Sequence, residues 1–190
     1  MYQLDLWILY FFNRTIASGF LDSFFEVLTN VHCWYPVYVV AGIYLIYRFR
    51  WHGVWMVVAA VLVVATTDSL GHYIVKPLVD RSRPCTMLPS GEYIVNWIRL
   101  PDGSRGDPSF PSNHALNNFA IAAFFFTIWP SKRNVMWLFV VALLISLGRV
   151  YEGLHYPSDV IGGAAIGMAV GFTVAMLMES ARKADQTLTI

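Results

Sequence analysis

Apolar residues come in long runs along this chain, and charge collects in the gaps between them. Residues 35–49, closed by Arg50, form a first plausible span, short unless it begins near Val31. The run 55–80 is apolar in its first half and polar on one stripe in its second. Further runs occupy 113–129, ended by Pro130, then 134–151 and 158–178. Each approaches the ~20 residues that a helix needs to cross a bilayer. The pattern predicts an all-α polytopic transmembrane helix bundle with five spans. Near the N-terminus, Leu4, Trp7, Ile8 and Phe11 recur at helical spacing, interrupted by Asp5 and Arg14, as expected of an interfacial amphipathic helix. Residues 21–31 are too short to cross and carry two acids, so they read as a second interfacial helix. Promoting this region to a span gives six as the alternative. Small residues in GGAAIGMAVG (162–171) predict close helix–helix approach.

Composition strengthens the membrane reading. Of 190 residues, 57% are hydrophobic and 13% charged, against about 25% charged in soluble domains. A net charge of +1 offers no electrostatic case for nucleic acid. The N-terminus lacks a basic stretch followed by a small-residue cleavage site, so no removable signal is expected. Cys33 and Cys85 are too few for a disulfide framework or a metal site, and free thiols are expected. Without repeats or low-complexity tracts, residues 1–190 read as a single domain.

The polar residues concentrate where span two ends, span three begins, and spans four and five are joined. KPLVDRSRP (76–84) offers Lys76, Arg81 and Arg83, FPSNHA (110–115) offers Ser112, Asn113 and His114, and GRVYEGLHYPSD (148–159) offers Arg149, His155 and Asp159. With five spans all three lie on one side of the membrane. Cations at membrane depth are costly and mark sites, and several at one helical mouth call for an anion. A tetrahedral phosphate suits the forked guanidinium and the mobile ammonium. Ser112 stands at an N-cap position, so the amides of Asn113, His114 and Ala115 would offer an anion-binding helix N-terminus. Pro157 suits the first helical position of span five, which puts His155 just before that helix and Asp159 in its first turn. An acid there can accept from one imidazole nitrogen and leave the other as a nucleophile. His155 is then the expected nucleophile. His114 is the expected acid for the leaving oxygen and base for the water. Fixed cations supply the charge neutralisation, so neither metal nor cofactor is expected.

Lys76, six residues, Arg83-Pro84, then Pro111-Ser112-Asn113-His114, then Arg149, five residues, His155, three residues, Asp159 resembles the type 2 phosphatidic acid phosphatase (PAP2) superfamily, whose motifs are KxxxxxxRP, PSGH and SRxxxxxHxxxD. The resemblance implies a helical membrane bundle, metal-independent dephosphorylation and a phosphohistidine intermediate. It assigns phosphate binding to Lys76, Arg83, Ser112 and Arg149, acid/base work to His114, and nucleophile and orienter to His155 and Asp159. Two positions depart from the pattern. Asn113 replaces a glycine, which keeps the backbone N–H but adds an amide side chain, and Gly148 replaces a serine.

These readings imply a phosphatase acting on a lipid phosphate monoester or pyrophosphate. Candidates from the resemblance are phosphatidylglycerol phosphate, phosphatidic acid, polyprenyl pyrophosphate and lipid A 1-phosphate. The expected partners are that lipid and the bilayer, with no nucleic acid and no obligatory protein partner. Arg48, Arg50, Lys132, Arg133, Arg182 and Lys183 cluster on the opposite side, as cytoplasmic loops should. The expected setting is a bacterial inner membrane with the site facing the periplasm or exterior. A lipid phosphotransferase would share every motif. A non-enzymatic transport or scaffold subunit, with Asp68 and His72 on a proton route, predicts charges strung across the bilayer, whereas they gather at one mouth.

The remaining polar residues read more plainly. Arg81 and Arg105 are expected to be solvated loop cations, and Glu152 a tether for Arg149 or a neighbouring loop. Asp68, His72 and Lys76, continued by Asp80, form a stripe at i, i+4 and i+8, expected to be a hydrogen-bond ladder. The apolar Tyr93, Ile94, Val95, Trp97 and Ile98 suit either interfacial anchoring or a place for a lipid chain.

Overall fold

The computed structural model describes residues 2–86, 88, 90, 94–95 and 107–188, with side chains to 183. All regular structure among them is helical. Helix α1 (Tyr2–Tyr10) runs into a π-helical turn (Phe11–Thr15), followed by α2 (Gly19–Thr29), α3 (Val31–Phe49) and α4 (Trp51–Ser69). A second π-helical segment (Leu70–Val75) carries α4 into the short α5 (Lys76–Val79). After the long loop come α6 (Asn113–Ile128), α7 (Trp137–Tyr151) and α8 (Pro157–Leu188). Helix α3 begins at Val31 and continues through Pro36, and α8 is longer than its apolar run predicts.

Among the described residues, three segments are long and apolar enough to cross a membrane: Trp51–Val79, Lys132–Tyr151 and Pro157–Lys183. The protein is an integral membrane protein built as a helix bundle. Helix α6 has 16 residues and is about 24 Å long at 1.5 Å per residue, less than the ~30 Å hydrocarbon thickness. It lies at the centre of the bundle, against α4, α7 and α8. Its site-facing end therefore meets loop backbone within the protein, which is where a membrane tolerates irregular chain.

The seam between α6 and α8 is built on Gly163, Gly167 and Gly171. A Cβ at Gly163 would come 2.7 Å from the Ser112 carbonyl oxygen, and Gly167 and Gly171 lie as tightly over the Leu116 and Ala120 carbonyls. Small residues every fourth position thus let backbone rest on backbone, as the sequence predicts. At the opposite end, Phe49 packs edge-on against Trp129 at 5.4 Å, which brings the α3–α4 and α6–α7 connections together.

The N-terminal helix turns a mixed face toward the protein. Its inward face is Asp5 and Leu9, continued by Asn13 in the π-helical turn, while Leu4 and Trp7 are 63% and 77% exposed. The exposed side of α1 is thus the one that carries the apolar stripe. Asn13 Nδ2 donates to the carbonyls of Leu9 and Val150, both at 3.1 Å, and so ties α1 to the end of α7. Helix α2 packs beside it, with the Phe25 and Tyr151 rings 4.7 Å apart and the Tyr151 hydroxyl donating to Asp22 at 2.5 Å. Cys33 is exposed and Cys85 buried, and the two are not joined.

Candidate functional site

The end of α5, the start of α6, the end of α7 and the start of α8 meet at one end of the bundle. Lys76 is buried there. The π-helical segment just before it explains how: its wider turn shifts the register by about one residue, so Lys76 turns inward while His72 stays exposed. The expected ladder from Asp68 through His72 to Lys76 and Asp80 is therefore broken. Asp68 instead accepts from Asn113 Nδ2 at 2.8 Å, and Asp80 ends α5 in a left-handed conformation, exposed.

Arg83 sits in the turn after α5, its Nε donating to the Asp107 carbonyl at 3.1 Å. Arg149, near the end of α7, pairs through Nη1 with Glu152 Oε2 at 2.6 Å. Glu152 is a tether, as expected, and it extends further, since Oε1 accepts from the Thr29 hydroxyl. Ser112 precedes α6 in extended conformation without capping it through its side chain. Its Oγ is fully buried and finds no partner among the described residues, so a hydroxyl remains to be satisfied beside the first amides of α6. The Asn113 side chain turns away to Asp68 on α4, and its contribution here is its backbone N–H.

His155 is buried in the turn before α8, at 3% exposure. Its Nδ1 lies 2.7 Å from the Ser109 carbonyl oxygen. A carbonyl only accepts, so Nδ1 carries the hydrogen and Nε2 keeps its lone pair. Burial pushes the His155 pKa down to about 4, with the cations of Arg83 and Arg149 adding to the shift and Asp159 opposing it. The ring is neutral at physiological pH. His114, in the first turn of α6, places Nε2 3.2 Å from the Thr29 carbonyl, which leaves Nδ1 as its titrating nitrogen. The two imidazoles interact electrostatically, and both feel Arg83 and Arg149.

Asp159 does not take the short bond that the sequence predicts. Its Oδ2 is 3.8 Å from His155 Nδ1, and it accepts instead from Ser109 Oγ at 2.5 Å and from the Tyr156 amide at 2.8 Å. Ser109 stands between the acid and the imidazole. Sequence reasoning missed it, because a serine in a long loop carries no distinguishing spacing. Arg81 was also misjudged. It is no solvated cation: it bridges Asp159 at 2.6 Å and Asp5 at 2.7 Å, with its guanidinium 4.0 Å over the Tyr156 ring.

Gly148 now has a reason. A Cβ there would fall 2.5 Å from Thr29 Cγ2 and 2.9 Å from Phe25 Cδ1, so α2 occupies the space that a serine side chain would need. Val95 packs into the core beside Leu9, Cys85 and Tyr156, while Tyr93, Trp97, Ile98 and Arg105 lie outside the described residues. Among the described residues no three His, Cys, Asp or Glu side chains gather as a metal site.

These features agree with the comparisons. A solved structure described as the first transmembrane PAP2 type phosphatidylglycerolphosphate phosphatase, from Bacillus subtilis, superposes with a TM-score of 0.68 at 26% identity, over 94% of this chain and 86% of that one. A lipid A 4'-phosphatase of Bacteroides thetaiotaomicron is 34% identical over 167 residues, 87% of this chain and 72% of its own length. Another, from Porphyromonas gingivalis, is 29% identical over 84% of this chain and 66% of its own. The model of the PAP2 superfamily matches residues 52–183, which include every site residue that the motifs single out, and the chain belongs to that superfamily.

Proposed function

We propose that the protein is a membrane lipid phosphatase that removes phosphate through a phosphohistidine. The observation that carries this reading is a buried imidazole whose Nδ1 lies 2.7 Å from the Ser109 carbonyl, sharing one bundle end with Lys76, Arg83, Arg149 and the N-terminus of α6. His155 Nε2 attacks phosphorus in line with the leaving oxygen, a P–N bond forms, and the P–O bond breaks as His114 gives that oxygen a proton. Water then attacks the phosphohistidine as His114 takes its proton, and inorganic phosphate leaves with His155 neutral again. Lys76, Arg83, Arg149, Ser112 and the Asn113 amide hold the equatorial oxygens as charge builds on them.

We place the site at the outer face of a bacterial inner membrane. Support comes from Arg48, Arg50, Lys132, Arg133, Arg182 and Lys183, which lie at the far helix ends, as cytoplasmic positive charge does. In this reading α3 and α6 also span, giving five, with α1 and α2 at the outer interface as part of the same single domain. The lipid A class heads the substrate order, because three of the matched relatives carry lipid A in their names.

The test is phosphate release by the purified protein in detergent with chelator present. The panel is lipid A phosphorylated at the 4' and 1 positions, phosphatidylglycerol phosphate, phosphatidic acid and undecaprenyl pyrophosphate, ranked by kcat/KM. Turnover is expected to persist in chelator and to fall by about 10³-fold or more in His155→Ala and about 10²- to 10⁴-fold in His114→Ala. Full turnover in both variants would overturn the mechanism.

A further inference from the structure

Helix α1 lies outside residues 52–183, the part matched by the family model, yet one of its side chains reaches the site. Asp5 is 4% exposed. Its Oδ2 accepts from Arg81 Nη2 at 2.7 Å and from the Ser158 hydroxyl at 2.5 Å, and its Oδ1 accepts from the Ser158 amide at 2.9 Å. Asp5 therefore caps the first turn of α8 from another helix, while occupying one arm of the Arg81 guanidinium. The other arm, Nη1, donates to Asp159 Oδ1 at 2.6 Å and to the Ser158 hydroxyl at 2.6 Å.

This division decides what Asp159 does. With one arm held by Asp5, Arg81 engages only Oδ1 of Asp159, and Oδ2 stays with Ser109 Oγ and the Tyr156 amide. Arg81 also holds Ser109 by its backbone, since its carbonyl accepts from the Ser109 amide at 2.5 Å. Ser109 in turn presents the carbonyl that receives Nδ1–H of His155. Asp159 and Ser109, the two groups that fix the ring, therefore both answer to Arg81. Without Asp5 the guanidinium is free to grip both oxygens of Asp159, since forked pairing with a carboxylate is its preferred geometry. Ser109 would then lose the acceptor for its hydroxyl.

The geometry points to Asp5 and Arg81 as positioning residues for the nucleophile, with the N-terminal helix supplying the charge that keeps Asp159 on Ser109 and His155 in its attacking tautomer. This rests on the phosphatase reading above for its kinetic consequence, but not for its structural one.

The test compares Asp5→Asn, Arg81→Lys and Leu9→Ala in the full-length protein. Asparagine keeps an acceptor for the Ser158 amide and removes the charge. Lysine keeps the charge and removes the second arm. Leu9, fully buried on the same helix, removes packing alone. Asp5→Asn is expected to lower kcat roughly tenfold or more, less than the ~10⁴ lost when an orienting acid itself is changed, with KM held within about twofold. Arg81→Lys is expected to fall between Asp5→Asn and the parent. Leu9→Ala is expected to lower the melting temperature and keep kcat when assayed below it. The same variants, labelled with ¹⁵N in the histidines, report the His155 tautomer without turnover. The parent should show Nδ1 protonated, and Asp5→Asn a shift away from that state.

Parental kcat in Asp5→Asn, a rise in KM alone, or equal loss of kcat in Asp5→Asn and Leu9→Ala would overturn the proposal. A parent that releases no phosphate counts against the phosphatase reading, and the tautomer then decides this one: unchanged rings in Asp5→Asn would sink it.

Discussion

The α6–α8 seam and the pair α1–α2 both brace the site, and they do so by opposite means. In the seam, glycines at 163, 167 and 171 bring α8 onto the carbonyls of α6, and no polar side chain is needed. In the N-terminal pair, Asp5, Asn13 and Thr29 are buried while Leu4, Trp7 and Phe20 face outward. Close van der Waals packing gives the first region its register, because lipid offers no hydrophobic reward for helix association. Hydrogen bonds that lipid cannot replace give the second its position. The candidate site lies where these regions meet: Ser112, Asp159 and His155 sit beside the seam, and His114, Arg149 and Arg81 are held by Thr29, Glu152 and Asp5.

The strongest way to break the comparison is to fill the seam. Gly167→Leu would force a branched side chain into the Leu116 backbone and is expected to cost roughly 3 kcal/mol or more, since a backbone cannot yield as a side chain can. Loss of a monodisperse, thermally cooperative species in detergent would be the readout. Phosphate release should disappear with it.

A smaller intrusion tests the N-terminal side. Restoring the family serine by Gly148→Ser is expected to destabilise by about 1–3 kcal/mol, the range for overpacking, because Thr29 and Phe25 already fill that space. Activity should fall as well, since displacing Thr29 moves the carbonyl that holds His114 and the hydroxyl that holds Glu152. A melting temperature unchanged from the parent would show that α2 can withdraw freely.

The contrast also explains what could be read from the chain. The α4, α6, α7 and α8 helices were legible because long apolar runs and a four-residue spacing of glycines report directly on lipid and on backbone contact. The motif residues converge as their spacing implies. Asp5 and Arg81 were not legible. Their partnership spans 76 positions in sequence, and α1 buries Asp5 and Asn13 beside Leu9 while Leu4 and Trp7 face outward, so apolar spacing does not mark its inner face. Nor could spacing reveal the π-helical segment that turns Lys76 inward, or that Ser109 intervenes between Asp159 and His155.

His155 belongs to both regions, and its titration measures how far the cations and burial act on it together. The ring attacks only when neutral, so activity is lost as pH falls through its pKa. With that pKa near 4, the acidic limb of kcat/KM should lie well below the ~6.5 of an ordinary histidine. Arg149→Gln removes one cation that holds the value down, so its limb should move upward. Burial is the larger cause, so the movement should stop short of 6.5. Both enzymes are compared on one lipid, which cancels the ionisation of the phosphate itself. A limb that moves downward in Arg149→Gln would reverse the sign of this coupling.

The smallest effect belongs to the residue that looks most hydrophobic. Trp7 is 77% exposed on α1, facing the lipid or detergent rather than the protein. Trp7→Ala should change unfolding stability in detergent by less than about 0.5 kcal/mol, as expected of a surface position. Asn13→Ala, one turn and a half further on the buried face, should cost about 1 kcal/mol or more, because its amide ties the Leu9 and Val150 carbonyls together. On a soluble helix the order would be reversed. If Trp7→Ala proved the more damaging, α1 would be packed by its aromatic face, and the link from Asp5 to the nucleophile would lose its footing.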